Sequence, residues 1–271
     1  MSNLNITTVQ TILHWEEKEK NLEMLGTRIL ECTDKMEVVV LPEMFSTGFT
    51  MQPGKLAETM DGPTVNWMKR IAASRRIILT GSLVIEENGK YFNRLVWMLP
   101  NGQYGYYDKR HRFAFAGEHL HYSPGNRRLI ASVKGWKINL QVCYDLRFPV
   151  WSRQQQHGST TTGPEYDVII NVANWPEKRS LAWKSLLQAR AIENQCYVAG
   201  VNRVGIDGNG IPHSGDSMII DPYGNILYHR ADVEEMNTIT LERDRLTECR
   251  EKLPFLRDAD EFSIINEDSN E

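Results

Sequence analysis

INLQVCYDLRFP, residues 138–149, is the stretch on which the reading of this chain turns. Its first half, 138–142, has the apolar content of a buried strand, and its second half, 144–149, is charged and ends in proline. Cys143 stands at the junction. A cysteine there admits two readings: a small core hydrophobe that closes the strand, or a nucleophile carried to the edge of a sheet. Free cysteine is more often the former, so the surroundings have to decide.

Working outward, seven more short runs carry the same strand signature, at 6–9, 38–41, 77–79, 95–98, 168–170, 197–199 and 218–220. They are rich in β-branched and aromatic residues and bounded by turn residues, which suits strands covered on one face or both. Helical spacing fills the intervals. Leu22, Leu25 and Ile29 recur at i, i+3, i+7, as do Val65, Met68 and Ala72 behind Gly62-Pro63, where proline suits a first helical position. Ala182, Leu186 and Ala189 recur at i, i+4, i+7, with Trp183 and Leu187 beside them. The stretches 86–90, 100–102 and 221–225 contain Asn-Gly or Pro-x-Gly and predict hairpin turns. Helix-connected strands joined to antiparallel pairs predict one layered α/β or α+β domain, undivided by any Pro/Gly/Ser-rich linker. The polar stretch 154–165 reads as a surface loop and the acidic end, 266–271, as a frayed terminus.

The bulk properties exclude several classes of function. The 271 residues carry 31 basic and 35 acidic side chains, a net charge of -4, which gives no electrostatic footprint for nucleic acid or an anionic membrane. No charged segment followed by an apolar one opens the chain, and no apolar run approaches the ~18 residues of a membrane span. A cytoplasmic protein is expected. Cys32, Cys143, Cys196 and Cys249 are far apart with no CxxC, which predicts free thiols rather than a zinc knuckle or disulfide scaffold. Cys32 and Cys196 read as core residues, while Cys249 lies in a polar run with no evident partner.

A nucleophilic Cys143 needs a base, a cation or amide donors for an oxyanion, and a turn that projects its sulfur. Glu43 directly follows an apolar run and Pro42, where partial desolvation suits a general base; alone, it also reads as a solvated loop glutamate. Lys109, in YYDKRHRF, has aromatic neighbours that suit a cation held beside a thiol, or belongs to an exposed charged loop. Each residue alone is ambiguous. Together they stand in the order Glu43, Lys109, Cys143, each at the end of an apolar segment.

With LPEMFSTGF, YDKRHRF, QVCYDLRFP, NVANWP, LLQARAIENQCYVAGVNRVG and SGDSMIIDPYGNIL in one order, the chain resembles the carbon-nitrogen hydrolase (nitrilase) superfamily over nearly its whole length. The resemblance implies a four-layer αββα sandwich, a single domain over residues 1–271, and a homodimer. It also implies a triad with Glu43 as general base, Lys109 as oxyanion-stabilising cation and Cys143 as the attacking thiolate. Glu118 fits a further family glutamate, with positioning of Lys109 ranked above proton transfer. The Tyr144 N–H joins Lys109 at the oxyanion, and a helix starting at Asp145 adds a dipole that favours thiolate. No metal or organic cofactor is implied, and His111, His119 and His121 lack an acid partner set for zinc.

Within the superfamily, NVANWPEKRSLAWKSLLQARAIENQCYVAGVNRVG and HRFAFAGEHLHYSPG look most like the ω-amidase branch. That implies a small-molecule amide substrate, an α-keto dicarboxylate monoamide such as 2-oxoglutaramate or 2-oxosuccinamate. Arg147 and Trp175 are the candidates for its carboxylate end, with Phe113 and Phe115 as walls; Arg147 also reads as an ion-pair partner and Trp175 as core. Another amidase, a carbamoylase or a nitrilase would share the triad. A non-catalytic binding module on the same fold would have no need of all three residues.

Overall fold

Strands that alternate apolar residues across both faces can be covered on both sides, and this chain stacks two such sheets. The computed structural model describes residues 2–154 and 163–264. Most of the loop expected at 154–165, and all of the acidic end at 266–271, lie outside the described residues.

The first sheet is built from β1 (Leu4–Gln10), β2 (Val38–Val40), β3 (Ile78–Glu87), β4 (Lys90–Met98) and β5 (Tyr104–Asp108), with helices α1 (Lys18–Glu31), α2 (Pro53–Leu56) and α3 (Pro63–Arg75) between them. The chain then passes through α4 (Glu118–His121) to β6 (Ile130–Val133), β7 (Trp136–Val142), α5 (Pro149–Ser152), β8 (Val168–Ala173), α6 (Ser180–Asn194) and β9 (Tyr197–Asn202). It ends with β10 (Val204–Ile206), β11 (Pro212–Ile220), β12 (Ile226–Ala231), β13 (Glu235–Leu241) and α7 (Arg243–Lys252). Sheet orders are β13-β1-β2-β3-β4-β5 and β10-β11-β9-β8-β7-β6, with β12 paired to β11. β13 returns to the first sheet antiparallel to β1, Leu4 opposite Leu241.

Leu4, Ile6, Val38, Val40, Leu95 and Trp97 of the first sheet share one buried cluster with Ile138, Leu140, Val142, Val168 and Ile170 of the second. Leu25 and Ile29 of α1 and Val65, Met68 and Ala72 of α3 pack with Val39, Leu79 and Val96 on the outer face of the first sheet. Trp183, Leu187 and Ala191 of α6 cover the second. Helix, sheet, sheet, helix is the four-layer αββα sandwich expected from the sequence.

Each of the eight apolar runs lies in or overlaps a strand, and the three expected hairpin turns join β3 to β4, β4 to β5 and β11 to β12. Asn88 and Gly89 take φ 52° and 74° in the first of these, which a two-residue hairpin turn requires. On α6 the expected face is displaced by one residue. Trp183, Leu187, Arg190, Ala191 and Asn194 are buried, whereas Ala182, Leu186 and Ala189 are half-buried, because the two large side chains set the inward direction. Cys196 is buried as expected and Cys32 is half-buried. Cys249, expected without a partner, is buried, with its sulfur 3.7 Å from the Pro222 carbonyl oxygen and 3.8 Å from Gln195 Nε2. Among the described residues no helix is long and apolar enough to cross a membrane.

Candidate active site

β2, β5, β7 and β8 end on the same side of the sandwich, and the residues after them meet there. Cys143 follows β7 directly at φ 46°, a left-handed conformation that costs a residue with a Cβ and is retained where surroundings enforce it. Asp145 does the enforcing. Fully buried, its carboxylate accepts hydrogen bonds from the Val142 N–H (3.0 Å), the Tyr107 hydroxyl (2.7 Å), the His111 N–H (3.0 Å) and His111 Nδ1 (2.8 Å). Tyr107 in turn accepts from Trp151 Nε1 at 3.0 Å, and the His111 ring stacks on Phe148 at 3.7 Å. The turn bearing the cysteine is thereby tied to the segment bearing Lys109.

The helix expected to begin at Asp145 is instead a five-residue 3-10 turn, Cys143–Arg147, followed by the single turn of α5. Phe148, extended at φ -110° and ψ 90° ahead of Pro149, separates the two. No long dipole therefore supports the thiol.

Glu43, Lys109 and Glu118 are all buried. Lys109 Nζ donates to Glu43 Oε1 at 2.9 Å and to both oxygens of Glu118 at 3.0 and 2.9 Å, and lies 5.2 Å from the centre of the Phe49 ring. Asn93 Nδ2 bridges the two carboxylates, 2.8 Å from Glu43 and 3.2 Å from Glu118. The Asn174 N–H donates to Glu43 Oε2 at 2.8 Å, and Asn174 Nδ2 to the Glu43 carbonyl at 2.6 Å. Glu118 also accepts the Phe113 N–H.

Burial, and then the charge of Glu43, push the Cys143 thiol well above its ordinary value, against the pull of Lys109. Burial and the neighbouring carboxylates thus oppose the thiolate that a helix dipole is expected to favour. Burial and Glu43 likewise raise the Glu118 carboxyl, against the pull of Lys109. Lys109 is held charged, its burial outweighed by Glu118 and Glu43.

Cys143 opens onto a cavity of about 320 Å³. Tyr144, Arg147, Trp175 and Phe113 line it, as the sequence reading requires of them; Phe115 does not. Phe115 is 88% exposed, with its ring 5.8 Å from that of Phe113, because the 3-10 turn Ala114–Ala116 points it outward. Arg147 is half-buried with its guanidinium 4.7 Å from the Trp175 ring, and Trp175 is buried, donating from Nε1 to the Arg179 carbonyl at 2.8 Å. Sequence reasoning missed Asn93, Asp145, Asn174 and Arg179. Asp145 and Asn174 lie beside strand ends within the quoted motifs QVCYDLRFP and NVANWP, but the motifs do not mark the distant partners they bind.

A model of the carbon-nitrogen hydrolase family matches residues 5–251. The chain is 45% identical over 266 residues to omega-amidase YafV of Escherichia coli strain K12, covering 97% of this chain and 100% of that one. It is 32% identical over 256 residues to 2-oxoglutaramate amidase of Bacillus subtilis strain 168, covering 93% of this chain and 96% of the relative. Among solved structures, a CN-hydrolase superfamily protein of Xanthomonas campestris with an arsenic adduct in its active site superposes with a TM-score of 0.95 at 42% identity. It covers 98% of this chain and 100% of that chain.

Proposed function

Because the chain belongs to the carbon-nitrogen hydrolase family, we propose that it is an ω-amidase, releasing ammonia from the terminal amide of small α-keto dicarboxylate monoamides through a Cys143 thioester. The observation that carries the reading is the buried Glu43 carboxylate, hydrogen-bonded to Lys109 Nζ at 2.9 Å and to the Asn174 N–H at 2.8 Å, with Cys143 in the wall of the cavity. The names of its relatives point to the same substrate class.

In this mechanism Glu43 takes the thiol proton as sulfur attacks the amide carbon. The carbonyl electrons move to oxygen, where the charge of Lys109 and the Tyr144 N–H stabilise them. Tyr144 is second in its 3-10 turn, among the first amides, which lack partners within a helix. Glu43 then gives the proton to nitrogen, the C–N bond breaks and ammonia leaves. Water, deprotonated by Glu43, attacks the thioester; the C–S bond breaks, the acid departs and sulfur recovers its proton. Glu118 acts as a positioning residue: its oxygens already accept from Lys109, Asn93 and the Phe113 N–H.

We place this activity in the cytoplasm, in a homodimer with no nucleic-acid partner, residues 1–271 forming one domain. The net charge of -4 supports the absence of a nucleic-acid partner. Exposed Val150 on α5 and Leu181 and Ile192 on α6 support the dimer. A sole species near 31.2 kDa in sedimentation at micromolar concentration would overturn it. The activity itself is tested by ammonia release from 2-oxoglutaramate by purified protein without added metal, beside a panel of ureides, nitriles and other amides. Preference for any of the latter replaces the ω-amidase assignment.

A further inference from the structure

We propose that Arg179, with Arg147, forms the seat for the carboxylate end of the substrate, and that Arg179 sets a preference for anionic over neutral amides. The inference rests on the amidase reading and adds to it a second cation that the sequence did not point to.

Arg147 and Arg179 both line the cavity of Cys143. Each lies against one aromatic ring, Arg147 at 4.7 Å from Trp175 and Arg179 at 5.1 Å from Phe113. A ring contact of this kind leaves the N–H edge free for a planar anion. Among the described residues neither guanidinium has an ion pair or a side-chain hydrogen bond, in contrast to buried Arg94 with Asp108 and Glu87 and to Arg243 with Asp167. The carboxylate in the same lining, Asp207, accepts the N–H groups of Asn209 and Ile211. Burial and the like charge of Arg147 lower the Arg179 pKa. Two cations in one cavity, neither of them in an ion pair, favour the entry of an anion, and a carboxylate offers two oxygens to two donor forks.

The Arg179 backbone is fixed in advance. Its carbonyl accepts from Trp175 Nε1 at 2.8 Å, and its neighbour Ser180 donates to Asp216 Oδ2 at 2.7 Å. Trp183 Nε1 donates to the Asp216 carbonyl at 2.8 Å, so the first turn of α6 is clamped to β11 immediately beside Arg179. Little backbone ordering therefore remains to be done on binding, which favours affinity.

The test compares kcat/KM for 2-oxoglutaramate with that for pentanamide, a neutral amide of the same chain length, in the wild type, Arg179→Gln and Arg179→Lys. The anionic-to-neutral ratio should fall at least about tenfold in Arg179→Gln, chiefly through KM, and recover in part in Arg179→Lys, since a charge-assisted pair is worth more than one such factor. An unchanged ratio in Arg179→Gln overturns the proposal. A second readout needs no turnover: peptide mass spectrometry of Cys143 alkylation by iodoacetate against iodoacetamide. Arg179→Gln should lower that ratio several-fold, and an unchanged ratio counts against the site. Should the wild type release no ammonia from 2-oxoglutaramate, the ω-amidase reading fails and the alkylation ratio alone decides the anion seat.

Discussion

Cys143 is poised by what surrounds it rather than by ionisation at rest. Burial and the charge of Glu43 raise its thiol well above the ordinary value, so in the proposed mechanism sulfur becomes nucleophilic as Glu43 removes the proton. Cys143→Ala and Cys143→Ser should both fold and lose nearly all turnover, because an alcohol is far harder to ionise than a thiol in the same place; near-normal ammonia release by Cys143→Ala would refute the assignment. Lys109→Met should cost roughly 10²-fold or more in kcat, the scale of a lost oxyanion donor. Glu43→Gln should slow both halves of the reaction, which intact-protein mass spectrometry read alongside ammonia would reveal as a persistent acyl adduct. Rapid deacylation in that variant would instead make Glu118 the group that activates water.

At the scale of elements, the ends of β2, β5 and β7 deliver the site, and a small residue secures one of them. A Cβ added at Gly125 would lie 2.0 Å from the Asp108 carbonyl oxygen and 2.8 Å from its carbon, both backbone atoms. Relief requires the end of β5 to move, and Lys109 is the next residue. Gly125→Ala should therefore lower both kcat and the melting temperature. Gly54→Ala, whose added Cβ comes no nearer than 3.5 Å to the Tyr91 hydroxyl, should leave both within error or gain slightly in stability. The strands that sequence periodicity left unread are β5, β6, β10, β12 and β13. All are edge or add-on strands with mixed or exposed residues, whereas the legible runs fill buried positions. The site divides in a similar way. Glu43, Lys109 and Cys143 end apolar segments and stand out. Asp145, Asn93 and Asn174 act through bonds to partners distant in sequence, and no local pattern marks such bonds.

For the whole molecule, buried acids that keep their protons govern behaviour at high pH. Burial raises Tyr107, Tyr166, Cys143 and Cys196 above their ordinary values. The folded state thus holds protons that the unfolded chain releases near pH ~8.5 for thiols and ~10 for phenols. Their contribution is fully present below those values and is lost as pH rises through them toward the folded ones. The urea midpoint should hold to about pH 8 and fall steadily above about pH 9; a flat midpoint to pH 11 would contradict the burial of these groups. On the acid side, burial and Arg203 push His213 down to about 4, so this imidazole costs stability as pH drops below ~6.5, where its unfolded counterpart protonates. Both sheets also build the candidate site: Glu43 and Lys109 come from one, Cys143 and Asn174 from the other, with the Asn174 bonds to Glu43 crossing the seam. Hydrolysis is consequently a late event in the life of the nascent chain. In refolding, backbone ellipticity should return before ammonia production, and neither half of the polypeptide translated alone should carry any.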